Sequence, residues 1–342
     1  MDVLSHPDAA IAASPRLTTN AAPDAMSGVR CLVLGAGGFL GHALCAALQE
    51  HGAVIHAYGR SLAASPPGGG ASWTEATFED GPALAAALRG QEVVFHLLGS
   101  SLPESSNHDP AADVVAQVVP SILLLERCRD AGVRKVVFAS SGGTVYGIPA
   151  VVPTPEGAGT APITAYGINK LMIERYLELF RHLHGLDYHV LRIANPYGPG
   201  QSPFKKQGVV AAMLHRALSG FALELWGTGE VTRDFIHVDD VSSAFMAAAR
   251  YDGPYRTMNV GSGQGRSLNQ LVADVRGVLG RPALEVVRKG GAGGGRAGQR
   301  AGHAADPRRD GVAAWGGVAG WFGGDGGVDA GGLWVLVWVK PL

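Results

Sequence analysis

Short apolar runs alternate with longer segments of helical periodicity along the first half of the chain. Each run ends at glycine or at a polar residue, which predicts a strand buried on both faces of a parallel sheet. The intervening segments place apolar residues at every third or fourth position, which predicts helices. This alternation is typical of an α/β fold with a doubly wound parallel sheet. The predicted strands are 30–34, 52–58, 92–98 and 133–139, and the predicted helices are 42–51, 82–88, 114–131 and 165–183.

The second half of the chain predicts shorter elements. One predicted helix begins with two aspartates, as the positive end of a helix dipole prefers, and Gly280 ends another. These elements indicate a smaller α/β part after the parallel sheet. Its predicted helices are 208–219, 239–250 and 268–279, and its predicted strands are 223–226, 257–260 and one near 285–288.

A glycine-rich turn directly follows the first predicted strand. Gly35, Gly38 and Gly41 stand three residues apart and open the first helix. This spacing permits a tight turn, the close approach of a ligand to the backbone, and close packing of the helix on the strand. The free N–H groups at the helix N-terminus favour a pyrophosphate, so we predict a dinucleotide site. Other predicted cofactor contacts are Phe39, Leu40 and Leu98.

The end of the second predicted strand bears on the choice of cofactor. Dinucleotide folds of the NAD type usually place an acidic residue there, where it binds the adenosine ribose hydroxyls. This chain has Gly59 followed by Arg60. A guanidinium pairs well with a 2′-phosphate, so NADP is an alternative to NAD. A solvated loop arginine is an equally weighted interpretation of Arg60.

Tyr166 and Lys170 stand four residues apart on one face of the predicted helix 165–183. Upstream, a Ser/Thr cluster with Ser141 and Thr144 follows a predicted strand. A phenol with a pKa of about 10 is a poor base at neutral pH. An adjacent ammonium group and a cationic nicotinamide favour phenolate, and lowering this pKa by about three units takes roughly 4 kcal/mol. We therefore predict that Tyr166 exchanges a proton with the substrate, while Lys170 lowers the tyrosine pKa and binds the cofactor ribose.

Five segments together resemble the extended short-chain dehydrogenase/reductases, and within them the NAD-dependent epimerase/dehydratases that are similar to UDP-glucose 4-epimerase. The resemblance covers about residues 29–287. It implies a Rossmann-type cofactor domain at 28–195 and a smaller α/β substrate-binding part at 196–289. The segments that carry it are 35–41, 140–147, 166–170, 195–198 and 233–240.

The resemblance also implies a reaction. In that family a bound NAD takes a hydride from C4 of a nucleotide sugar, a tyrosine removes the hydroxyl proton, and the hydride returns to the other face. Tyr166 and Lys170 take the places of the catalytic pair. Asn195 and Arg233 are the expected contacts to the substrate, Arg233 through its phosphates, because a guanidinium fork fits phosphate oxygens. A salt bridge with a neighbouring aspartate is the alternative for Arg233. The expected assembly is a homodimer.

The chain departs from the family pattern at the end of the strand 133–139. Gly142 occupies the place of the serine or threonine that bridges substrate and tyrosine, so the role falls to Ser141 or Thr144. Dehydratases of the family carry an Asp-Glu pair where this chain has Gly143 and Thr144, which argues against dehydration. The alternatives to a 4-epimerase are a 4-ketoreductase, a dehydratase, and a cofactor-binding protein without turnover.

The composition indicates which class of protein this is, which partners it lacks and where it is located. With 46% hydrophobic and 17% charged residues and a net charge of −1, we expect a globular protein without attraction to nucleic acid or membranes. Three cysteines lie in apolar patterns, which predicts reduced thiols in the cytoplasm. The twelve histidines are scattered along the chain, so no metal site is expected.

The two ends of the chain differ from the rest. Residues 1–27 are rich in Ala, Pro, Ser and Thr, which predicts a disordered extension. From residue 290 the chain is rich in glycine and holds Trp315, Trp321, Trp334 and Trp338, without helical periodicity. A disordered tail is one interpretation. A shifted reading frame is the other, and it would make 290–342 an aberrant tail.

Overall fold

The computed structural model describes residues 26–60, 71–99, 103–205 and 207–290. Its elements follow along the chain as β1 (Arg30–Leu34), α1 (Phe39–Glu50), β2 (Val54–Gly59), β3 (Ser72–Glu75), α2 (Gly81–Leu88), β4 (Val93–His96), α3 (Pro103–Ser106), α4 (Pro110–Asp130), β5 (Lys135–Ser141), α5 (Gly142–Val145), α6 (Ala165–His184), β6 (Asp187–Ile193), β7 (Asn195–Tyr197), α7 (Val209–Leu218), β8 (Leu223–Trp226), β9 (Thr232–His237), α8 (Val238–Arg250), β10 (Thr257–Val260), β11 (Gly265–Ser267), α9 (Leu268–Val278) and β12 (Val286–Lys289).

A seven-stranded parallel sheet forms the larger part of the molecule. Its strand order is β10-β6-β5-β4-β1-β2-β3, and every pairing in it is parallel. From β1 the chain adds β2 and β3 on one side and then returns to place β4 on the other side. The strand order therefore reverses between β1 and β4, which is where sheets of this kind bind ligands at their carboxyl edge. The predicted doubly wound, Rossmann-type sheet is confirmed.

Helices cover both faces of this sheet. On one face, α1 and α8 bury Leu44, Leu48 and Phe245 against the strands. On the other face, α2, α4 and α6 bury apolar side chains that include Leu125 and Leu177. Burial on both faces explains why the strands are almost continuously apolar and can be found from the sequence.

The smaller part is built from short elements. The three-stranded sheet β11-β9-β7 and the two-stranded sheet β12-β8 belong to it, and α7 and α9 pack together over a separate apolar cluster. After residue 195 the chain also returns to the large sheet, because β10 pairs with β6 and α8 packs on α1. Residues after 195 therefore contribute to both parts of the molecule. The division into a cofactor domain at 28–195 and a substrate-binding part at 196–289 stays a prediction.

Five strands were absent from the sequence prediction: β3, β6, β7, β9 and β11. In β6 the apolar pattern is interrupted by Asp187, His189 and Arg192. Asp187 is tolerated through its ion pairs with Lys135 and Arg256, and Arg192 through its buried ion pair with Glu174. The other four strands have three to six residues, too few for a periodic signal.

The structure describes only a few residues of the two predicted terminal segments. Met26 lies within the predicted extension 1–27, yet its side chain is buried in the core beside α1. Residues 1–25 of that extension and the tail from residue 291 lie outside the described residues, so both predictions stay predictions. Within the described part, no helix is long and apolar enough to cross a membrane.

Candidate active site

The glycine-rich turn after β1 lies where the strand order of the large sheet reverses, and its glycines have no side chains that would block a ligand. Gly35 has a φ of +86°, which only glycine adopts readily, and its N–H donates to the Tyr58 carbonyl at 2.9 Å. A Cβ on Gly41 would lie 2.7 Å from the Ala36 Cα, so this position also requires glycine. Gly38 is the N-cap residue of α1 and has no side chain to cover the N–H groups of the first turn. The turn therefore fits a dinucleotide pyrophosphate.

The remaining predicted cofactor residues lie around this glycine turn. Phe39 and Leu40 begin α1 and are half-buried, and Leu98 follows β4 at the same edge of the sheet. Arg60 is exposed directly after β2. Sequence reasoning missed Trp73 on β3, whose ring lies 3.8 Å from the place that a Cβ on Gly59 would occupy. An indole thus borders the position where an acidic residue usually binds the ribose.

The structure brings Tyr166, Lys170 and Ser141 together at the carboxyl edge of β5. Lys170 is 7% exposed, and its Nζ donates to the Ala139 carbonyl at 2.9 Å and lies 5.7 Å from the Tyr166 ring centroid. The Ser141 side chain is hydrogen-bonded to the Tyr166 side chain. These contacts place a phenol, a hydroxyl and an ammonium group in one small cluster.

Thr144 differs from Ser141 in its contacts. Its Oγ1 is buried and has no hydrogen-bond partner among the described residues, although it lies beside the first turn of α6. Of the two residues that the sequence left open as the bridging group, Ser141 is therefore the one that contacts the tyrosine.

The electrostatics of the pair follow from burial. Burial raises the pKa of Tyr166 to about 12, while its hydrogen bond with Ser141 lowers that pKa and nearby Asp113 raises it. Burial lowers the pKa of Lys170 to about 8, against the carboxylates of Glu174 and Asp113. The protein alone thus keeps Tyr166 protonated, and the low phenol pKa predicted for Tyr166 with a bound nicotinamide stays a prediction. A cationic ligand beside the ring would be needed to favour phenolate.

The first turn of α6 is held by three side-chain acceptors. Thr164 accepts a hydrogen bond from the Gly167 N–H at 3.1 Å. Ser106, the last residue of α3, accepts from the Tyr166 N–H at 3.0 Å, and Asn107, directly after α3, accepts from the Ala165 N–H at 2.9 Å. These contacts satisfy N–H groups that a helix start otherwise leaves unpaired. They fix the position from which the tyrosine side chain projects.

The predicted substrate residues lie on the smaller part. Asn195 begins β7, and its side-chain amide donates to the Asp234 carbonyl at 2.9 Å. Arg233 lies on β9, directly opposite Arg266 on β11. Arg266 binds Asp274 at 3.1 Å. Like charges opposite each other on paired strands repel; here Asp274 offsets the charge of Arg266, and the Arg233 Nη1 donates to the Thr232 carbonyl at 2.9 Å. Sequence reasoning missed Arg266, because its role depends on strand pairing.

Comparison with known proteins gives a consistent assignment. The model of the NAD dependent epimerase/dehydratase family matches residues 31–261. UDP-glucose 4-epimerase of Mycolicibacterium smegmatis is 40% identical over 191 residues, which is 56% of this chain and 61% of that protein. The chain thus spans less than two thirds of the length of the first curated relatives that it matches.

Solved structures agree over a larger share of the chain. UDP-glucose 4-epimerase of Thermotoga maritima, solved with UDP-glucose, is 36% identical with a TM-score of 0.72, over 77% of this chain and 86% of that one. The enzyme of Thermus thermophilus, solved with NAD, is 29% identical with a TM-score of 0.70, over 77% and 86%. The family model, the parallel sheet and the glycine turn lead to one conclusion: this chain belongs to the NAD dependent epimerase/dehydratase family.

Proposed function

We propose that the protein is a nucleotide-sugar 4-epimerase that acts on a UDP-hexose with bound NAD. The observation that carries the proposal is the cluster at the end of β5, where the Lys170 Nζ lies 5.7 Å from the Tyr166 ring centroid and donates to the Ala139 carbonyl at 2.9 Å, with Ser141 beside Tyr166. The similar proteins named UDP-glucose 4-epimerase support it. When bound, NAD supplies oxidation at C4 of the sugar and the return of the hydride.

The side chains of this protein have separate tasks in the proposal. Tyr166 accepts the proton of the C4 hydroxyl and later returns it, with Ser141 aligning that hydroxyl. Lys170, in its cationic form, favours the phenolate and binds the cofactor ribose. The turn from Gly35 to Gly41 binds the pyrophosphate of the cofactor, and Arg233 binds the diphosphate of the substrate.

The test is the interconversion of UDP-glucose and UDP-galactose by the full chain, with NAD and NADP compared as cofactors. Formation of the epimer without net reduction of cofactor supports the 4-epimerase. A 4-ketoreductase would instead consume NADH or NADPH with a 4-keto sugar. Cofactor binding without either reaction would identify a protein without turnover. At the place of the dehydratase acid pair this chain has the exposed Gly143, which disfavours dehydration.

We also propose a homodimer formed through α4 and α6. These two helices pack side by side and leave large apolar side chains exposed at helical spacing. A paired copy would cover these side chains, and contiguous exposed apolar side chains commonly mark protein–protein contacts. Light scattering of the wild type against Leu123→Glu tests it, since an introduced charge should release monomers. The exposed side chains are Val115, Val119, Leu123, Ile168, Leu179 and Leu183.

We also propose that the enzyme is located in the cytoplasm. All three cysteines, Cys31, Cys45 and Cys128, are free and buried, as expected where thiols stay reduced. Fractionation of the native host, followed by detection of the protein, tests this location.

A further inference from the structure

Three consecutive residues at the end of β5 each bind α6. Their partners on the helix stand four residues apart and therefore lie on one helical face. The Lys170 ammonium donates to the Ala139 carbonyl at 2.9 Å. The Ser140 hydroxyl donates to the Glu174 carboxylate at 2.5 Å. The Ser141 hydroxyl pairs with the Tyr166 hydroxyl.

The middle partner, Glu174, is itself fixed by Arg192 on β6. The Arg192 Nη2 lies 2.7 Å from one Glu174 oxygen, and its Nε lies 3.2 and 3.3 Å from the two oxygens. Both side chains are only 6% exposed. Taking two charges out of water costs free energy that their attraction does not always recover. Stability alone is thus a weak reason for this buried pair.

The ion pair is also connected to Tyr146 and, through it, to Asn259 on β10. The Arg192 guanidinium lies 4.7 Å from the Tyr146 ring centroid, and the Tyr146 hydroxyl donates to Asn259 of β10 at 2.8 Å. Asn259 in turn donates to the Thr154 carbonyl at 2.8 Å. One polar network therefore joins α6, β6, β10 and the loop before α6.

We infer that Glu174, held by Arg192, is a positioning residue that fixes the register of α6 against β5. It thereby places the Tyr166 hydroxyl against Ser141 and the Lys170 ammonium against the Ala139 carbonyl. The inference rests on the roles proposed above for Tyr166 and Lys170. It assigns to Ser140 the link between the ion pair and the strand end.

Glu174 also acts on the charge of Lys170. Among the groups that face Lys170, Glu174 and Asp113 favour the protonated amine, whereas burial opposes it. His96 on β4 is close enough for Lys170 to lower the histidine pKa. Removing the Glu174 charge should therefore make Lys170 lose its proton at a lower pH.

Two variants and one matched control test the inference. Ser140→Ala removes the link to the strand and leaves the ion pair intact, and Glu174→Gln removes the charge. The control is Glu178→Gln, one turn further along α6, where the 2.9 Å ion pair with Arg175 is exposed. Each variant is assayed for kcat and KM with UDP-glucose. NAD affinity is measured by calorimetry from pH 6 to pH 10 without sugar.

Ser140→Ala should lower kcat by about tenfold or more, because a small misplacement of reacting groups costs much rate, and should leave KM unchanged. Glu174→Gln should shift the alkaline loss of NAD affinity by about half a pH unit or more toward lower pH. Glu178→Gln should change neither quantity.

The inference is overturned if Ser140→Ala keeps its kcat within about twofold of wild type, or if the NAD profile of Glu174→Gln is unshifted. If Glu174→Gln does not fold, Ser140→Ala decides alone. A wild type that binds NAD but epimerises no sugar contradicts the proposed function. The NAD profile then still tests the positioning of Lys170, because that measurement contains no sugar.

Discussion

The Lys170 ammonium donates to the Ala139 carbonyl at 2.9 Å and lies 5.7 Å from the Tyr166 ring centroid. Lysine thus contacts the strand end and acts on the tyrosine through space. Burial lowers the pKa of Lys170 to about 8, so the amine is cationic below that pH and neutral above it. NAD affinity and turnover should both fall as the pH rises through about 8.

Lys170→Met should remove this pH dependence along with most of the activity. It deletes the cation that favours the phenolate, so kcat should decrease by about a hundredfold. Calorimetric titration with NAD and initial rates, both followed across pH, measure the two effects. An alkaline loss of NAD affinity that persists in Lys170→Met would assign it to another group.

Ser141→Ala should lower kcat by about ten- to a hundredfold, while Thr144→Val should change it little. Ser141 is hydrogen-bonded to Tyr166, whereas the Thr144 hydroxyl has no partner among the described residues. Removing a group that aligns a proton transfer costs catalysis of this order. Parallel kcat measurements with UDP-glucose compare the two variants. The opposite order would make Thr144 the bridging residue.

NAD and NADP should bind with similar affinity. Gly59 offers no carboxylate to the ribose hydroxyls, and the exposed Arg60 offers a cation to a 2′-phosphate. Arg60→Ala should weaken NADP by about tenfold and leave NAD unchanged, since one charge-assisted hydrogen bond contributes about 1.5–3 kcal/mol. Calorimetry with both cofactors measures this. Unchanged NADP affinity would make Arg60 a solvated loop residue.

The protein should lose stability as the pH falls below about 6.5. His96 is fully buried and burial lowers its pKa to about 3, so the unfolded chain binds a proton there that the folded protein excludes. Between these two pKa values this group contributes a slope of about 1.4 kcal/mol per pH unit. His96→Phe should flatten the slope of unfolding free energy against pH, measured with urea. Substitution of the exposed His182 should leave it unchanged.

How much the sequence could predict depends on how local each signal is. The glycine turn and the pair of Tyr166 and Lys170 are local motifs, so they place the site without a structure. Arg266 could not be assigned, because it meets Arg233 only through antiparallel pairing of two short strands. Trp73 likewise reaches Gly59 across neighbouring strands.

Burial opposes one of the predicted effects. The sequence predicts that Lys170 and a cationic nicotinamide together lower the tyrosine pKa, whereas in the protein alone desolvation of the phenol raises that pKa to about 12 and the charge of Asp113 raises it further. Desolvation depends on the surrounding packing, and one sequence does not specify that packing. The charge of a bound cofactor therefore has to complete the activation of Tyr166.

The most direct test follows the hydrogen at C4 of the sugar. UDP-glucose carrying deuterium at C4 is incubated with the full chain and NAD, and with Tyr166→Phe in parallel. The account predicts UDP-galactose that retains its deuterium at C4, with turnover at least about a hundredfold lower in the variant and NAD binding unchanged. Loss of deuterium from the product, or equal turnover by the variant, would contradict transient oxidation at C4 with Tyr166 as the proton acceptor.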